Sequence, residues 1–135
     1  MSYFLDSDIC IFALNDKFPA IAEKLKDCSP QVIKIPSIVK AELLVGAMQG
    51  ARPDKARVAV EDFLMPFEIV SFDDHCVDVY VQIRTDLAKK GHPIGPNDFI
   101  IASTVLANHG TLVTHNVGEF KRILELEVED WTRQG

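Results

Sequence analysis

Two rhythms of apolar residues alternate along the chain. Short runs rich in β-branched and aromatic residues read as buried strands: Tyr3-Phe4-Leu5 first, then 32–36, 67–71 and 111–114, with 126–131 as an edge strand. Between them apolar residues recur at helical spacing. Short helices are expected over 7–14 and 19–26, and a longer one from a Ser37 cap to a stop at Gly50, with Ile38, Ala41, Leu44, Val45 and Met48 on one face. A further helix over 53–64 opens on Pro53. An amphipathic one over 73–90 runs through Val77, Tyr80, Val81, Ile83 and Leu87 and ends at Gly91, and a strongly apolar one covers 97–108. Strands alternating with helices predict an α/β domain, a mostly parallel sheet covered on both faces, spanning 1–135 as one unit. In such sheets ligands bind beyond the carboxyl ends of the strands.

Composition supports a globular chain: 47% of residues are hydrophobic and 25% charged, with no repeat or low-complexity tract. No apolar run approaches the roughly 20 residues of a membrane span. An early carboxylate and the lack of a basic start argue against a signal peptide, so a cytoplasmic location is expected. The three cysteines, Cys10, Cys28 and Cys76, form no C-x-x-C pair and read as thiols; the four histidines show no zinc spacing. The net charge of −6 argues against a nucleic-acid binder with a broad basic face, unless the acids are gathered around a cation that neutralises them. Local basic groups remain at Arg84, Lys89, Lys90, Lys121 and Arg122, each of which reads first as part of a solvated helix face.

Several acids fall at the ligand-binding edge. Asp6 follows the first strand directly. Asp8, two residues on, reads equally well as a helix cap. Glu42 lies one turn into the helix after the second strand, among apolar neighbours. Asp98 is delivered by a loop stiffened by Pro93 and Pro96 to the start of an apolar helix, where it can also complement the helix dipole. Thr114-His115-Asn116 follows the fourth strand, where a turn is the plain account of Asn116. Taken together, strand ends and helix starts bring Asp6, Glu42, Asp98 and Asn116 to one rim. Clustered carboxylates repel unless a cation joins them, and oxygen ligands select Mg²⁺ or Mn²⁺.

The pieces Leu5-Asp6-Ser7-Asp8-Ile9, Ser37-Ile38-Val39-Lys40-Ala41-Glu42-Leu43 with Gly46, Ile83-Arg84, Gly91 and Ile94-Gly95-Pro96-Asn97-Asp98 occur in that order. The stretch from Leu112 to Phe120 and a terminal Val128-Glu129-Asp130-Trp131 complete the series. So ordered, the chain resembles the PIN-domain family, and within it the VapC-type toxins of bacterial toxin–antitoxin pairs. The resemblance implies a three-layer α/β/α sandwich and a Mg²⁺- or Mn²⁺-dependent endoribonuclease acting on structured RNA such as tRNA or rRNA. It also implies a homodimer inhibited by a VapB-type antitoxin that fills the active-site groove. By position, Asp6, Glu42 and Asp98 match the acidic metal site, Asn116 a fourth position that is often Asp, and Thr114 a nearby polar position. Ser7-Asp8 departs from the usual Thr-Asn and Asn116 is neutral; Asp8 is the residue that can restore the lost charge. Lys121 and Arg122 are the candidates for holding RNA phosphates.

Two other readings compete. Asp6-Ser7-Asp8 is also the D-x-D arrangement of haloacid-dehalogenase-like phosphatases, but Cys10 stands where their Thr is expected and a late acidic pair is missing. A PIN-like fold kept as a binding module after losing catalysis has only the neutral Asn116 in its favour.

Overall fold

The computed structural model describes residues 1–133; Gln134 and Gly135, the end of the expected 1–135 domain, lie outside the described residues. The first strand is β1 (Tyr3–Leu5), followed by helices α1 (Ser7–Leu14) and α2 (Pro19–Asp27). After a 3₁₀ turn at Pro30–Val32 come β2 (Ile33–Pro36), α3 (Ser37–Gln49), α4 (Pro53–Leu64) and β3 (Glu68–Val70). Then follow α5 (Asp74–Lys89), α6 (Pro96–Ala107), β4 (Thr111–Val113), α7 (Val117–Phe120) and β5 (Glu127–Glu129). Helices and strands thus occupy the expected places, while α7 was not anticipated. The expected start of the second strand at Val32 is taken by the 3₁₀ turn. Ser37 does not cap α3: the cap position falls on Pro36, whose side chain cannot accept a hydrogen bond, and Ser37 is the first helical residue.

The strands lie in the order β3-β2-β1-β4-β5, and every pairing is parallel. The expected mostly parallel sheet is therefore wholly parallel, the centre of a three-layer α/β/α fold. The chain builds outward from β1 through β2 to β3, then returns across α5 and α6 to add β4 on the other side of β1. The strand order reverses between β1 and β4, and the crevice past their carboxyl ends is where a ligand of such a sheet sits.

Packing fixes this register. Phe4, Leu5, Ile33, Ile35, Leu112 and Val113 are all buried, as strands covered on both faces require. Lys34 pairs with Glu68 across β2 and β3, and their side chains meet at 2.7 Å. Gly110 precedes β4 because a Cβ there would press into the ring of Phe4. Gly91 takes the left-handed conformation, φ +70°, that ends α5. Trp131 closes the far side, buried against Tyr3 with ring centroids 5.3 Å apart. No helix among the described residues is long and apolar enough to cross a membrane.

Candidate functional site

Leu5 pairs with Val113, so the residues that follow them, Asp6 and Thr114, emerge side by side at the crevice. The backbone N–H of Asp6 donates to Val113 O at 2.9 Å, which extends the ladder one step to hold the acid in place. Asp6 is 6% exposed and caps α1: its Oδ1 accepts the N–H of Ser7 at 2.8 Å, and its Oδ2 accepts the hydroxyl of the buried Thr114 at 2.7 Å. Burial raises the Asp6 pKa, these two donors pull it back, and the charge of Glu119 raises it again.

Asp8 does not cap α1, since Asp6 holds that position. Its Oδ1 accepts the N–H of Ile9 at 2.7 Å and its Oδ2 the N–H of His115 at 3.1 Å, tying α1 to the loop after β4. Burial and the neighbouring Asp6 push its carboxyl up to about 6. Glu42 reaches the same region from α3, within 3.5 Å of the Ser7 hydroxyl and near Asn97. Its pKa is raised by partial burial and by Asp6, against the lowering effect of Asn97 and Ser7.

Asp98, in the first turn of α6, is pushed up to about 7 by burial, then by the neighbouring Glu119 carboxylate, then by Asp6 and Glu42. Glu119 moves the other way. Its Oε1 accepts the N–H of Gly95 at 2.9 Å and its Oε2 the side-chain N–H of Asn116 at 2.8 Å, and these donors favour its anion. The two carboxyls are thus pushed apart, Asp98 up and Glu119 down.

The site residues named from the sequence fall into two groups. Asp6, Glu42 and Asp98 feel one another's charge, and Asp8 couples to Asp6. Asn116 presents its amide N–H to Glu119 and its backbone N–H to Thr114 Oγ1 at 3.0 Å, so it positions other members of the site. Glu119 was not singled out from the sequence, nor were Asn97 and Ser7. The signal for Glu119 was slight: it lies three residues after Asn116, inside a four-residue helix too short to show a period. Among the basic candidates, Arg122 donates to Pro93 O at 3.0 Å and so pins the loop that delivers Asp98, whereas Lys121 is exposed. Arg84 stacks on Tyr80 and Phe99, its guanidinium carbon 5.6 and 5.5 Å from their ring centroids.

All the oxygens gathered here are hard donors. As the side chains stand, no three His, Cys, Asp or Glu among the described residues close on a single ion point. Burial first, and like charge after it, raises the pKa values of these carboxyls.

A family model described as the PIN domain matches residues 3–126. The chain belongs to the PIN-domain family. This PIN domain is of the VapC type: Ribonuclease VapC2 of Rickettsia felis is 38% identical to it, over 98% of this chain and 100% of that protein. A tRNA(fMet)-specific endonuclease VapC of Salmonella typhimurium is 34% identical, over 97% of this chain and 98% of that one. Among solved structures, VapBC2 from Rickettsia felis bound to a promoter DNA fragment contains a chain that superposes with a TM-score of 0.91, covering 97% of this chain and 99% of that chain. The PIN-domain match contradicts the D-x-D phosphatase reading.

Proposed function

We propose that this PIN domain is a divalent-metal-dependent endoribonuclease, the toxin half of a toxin–antitoxin pair, acting in the cytoplasm on structured RNA, with tRNA the first substrate to try. The observation that carries the proposal is the convergence of Asp6, Glu42, Asp98 and Glu119 on the β1/β4 crevice of a chain related end to end to proteins named ribonucleases.

The donor set fits Mg²⁺ or Mn²⁺. It is all oxygen, and burial and like charge raise the pKa values of Asp6, Asp8, Glu42 and Asp98, a penalty that a bound cation reverses. Asp6 and Asp98 are the principal candidate ligands, with Glu42 beside them. Bound there, the cation supplies charge to the phosphodiester oxygens and acidifies a water.

The chain's own groups do the rest. Thr114 and Ser7 fix the direction of the Asp6 carboxylate. Glu42, beside the Ser7 hydroxyl, is the residue proposed to orient the attacking water. Asn116 and the Gly95 N–H hold Glu119 as an anion against Asp98. In-line attack forms the bond from water oxygen to phosphorus as the bond to the leaving sugar oxygen breaks; the attacking water's proton passes to a carboxylate of the rim, and the leaving oxygen takes a proton from solvent to become the alcohol.

A VapB-type antitoxin is the proposed inhibitor, presenting a cationic side chain to this acidic groove, and a homodimer the proposed state of the toxin. Induced expression in a bacterium tests the proposal. The wild-type chain should arrest growth, Asp6→Asn at equal soluble level should not, and arrest by both would count against the assignment.

A further inference from the structure

Beside the acid cluster lies a second hollow of opposite character. His115, Lys121, Asp130 and Arg133, with Val117 and Val128, line a cavity of about 450 Å³. His115 is the partition between the two: its backbone N–H donates to Asp8 in the acidic crevice, and its ring lines the cavity. That ring is fixed, with Nδ1 3.1 Å from Asp130 Oδ2 and its edge packed on Phe12. Asp130 is the carboxylate on this wall, one anion set against the two cations Lys121 and Arg133. Besides His115, it accepts the N–H of Thr132 at 2.9 Å and the Thr132 hydroxyl at 2.7 Å. Lys121 and Arg133 are exposed and have no ion-pair partner among the described residues.

Charge arithmetic gives this arrangement a use. A chain of net charge −6 with an acidic crevice repels an RNA strand, and salt limits the reach of any compensating cation to about 10 Å. Positive groups must therefore stand next to the crevice to hold the strand. Arg122 is held on Pro93 O with its charge directed at Glu119, while Lys121 and Arg133 face one cavity that begins a single residue after Thr114.

We propose that the cavity lined by Lys121 and Arg133, with His115 as its wall, binds a backbone phosphate of the RNA next to the one being cleaved. The proposal rests on the ribonuclease reading above. Its test is steady-state cleavage of bulk bacterial tRNA with Mn²⁺ across a series of NaCl concentrations. Three proteins are compared: the wild type, a Lys121→Ala/Arg133→Ala variant, and a Lys24→Ala/Lys26→Ala control. The control removes the same two charges from the last turn of α2.

The cavity variant should show KM raised about tenfold with kcat little changed, and a salt dependence of log kcat/KM shallower by about 0.7, the change for one lost single-strand phosphate contact. The control should keep the wild-type slope. An unchanged slope in the cavity variant, or the same loss in the control, overturns the phosphate site while leaving the ribonuclease reading intact. Failure of the wild type to cleave any RNA with Mn²⁺ overturns that reading, and the phosphate site with it.

Discussion

The Thr114 hydroxyl donates to Asp6 Oδ2 over 2.7 Å, and its oxygen in turn accepts the N–H of Asn116 at 3.0 Å. Thr114→Val keeps the shape of the side chain and removes both bonds, leaving a buried carboxylate oxygen short of a donor. Urea unfolding at neutral pH should show a loss of about 1–3 kcal/mol, and a loss near zero would contradict the bonding described. Glu119 bears on Asp98 by its negative charge. In Glu119→Gln that charge is gone, so the Asp98 carboxyl should titrate below its present value of about 7, as ¹³C NMR can follow. An unmoved titration would remove Glu119 from the site. Asp6, Glu42 and Asp98 were legible in the sequence because each sits at a strand end or in the first turns of a helix, positions that a parallel fold brings to one edge. Glu119 was hidden because its link to Asp98 depends on how the Gly95 loop folds against α7, which no local pattern records.

Elements with a clear period were legible, and those set by a few local bonds were not. The long helices α5 and α6 carry enough apolar turns to announce themselves, whereas the four residues of α7 do not. The cap of α1 shows a subtler limit. Two aspartates flank Ser7, and only the folded backbone, with Asp6 N–H drawn to Val113 O, decides that Asp6 caps and Asp8 reaches across to His115. Helix α3 begins without a side-chain cap because it leaves β2 directly from Pro36. At the opposite edge of the sheet, Gly110 lets β4 start close under the Phe4 ring. Gly110→Ala should cost about 1–3 kcal/mol by overpacking, read as a lower urea midpoint with an unchanged slope. A wild-type midpoint would mean that the ring moves aside freely.

Across the whole molecule, the acid cluster sets a pH dependence of stability. The carboxyls of Asp8 and Asp98 are raised in the fold to about 6 and about 7, so the folded state binds their protons more tightly than the unfolded chain. Their contribution is fully present below the unfolded carboxylate range and is lost as pH rises through 6 to 7. Glu119 and Asp130 are shifted down and act oppositely, only at more acid pH. In EDTA the protein should therefore melt at a higher temperature at pH 5 than at pH 8, and Mn²⁺ at pH 8 should restore much of the difference. A metal-free melting temperature that rises from pH 5 to pH 8 would contradict the electrostatics of the site. The same gathering of charge at one sheet edge is the basis of the functional proposal, and one measurement bears on it most directly: incubation of total bacterial RNA with the purified chain, with Mg²⁺ or Mn²⁺, with EDTA, and with Asp6→Asn. Discrete fragments that disappear both with EDTA and with the substitution are the predicted result; intact RNA from folded wild-type protein supplied with metal and free of antitoxin would contradict it.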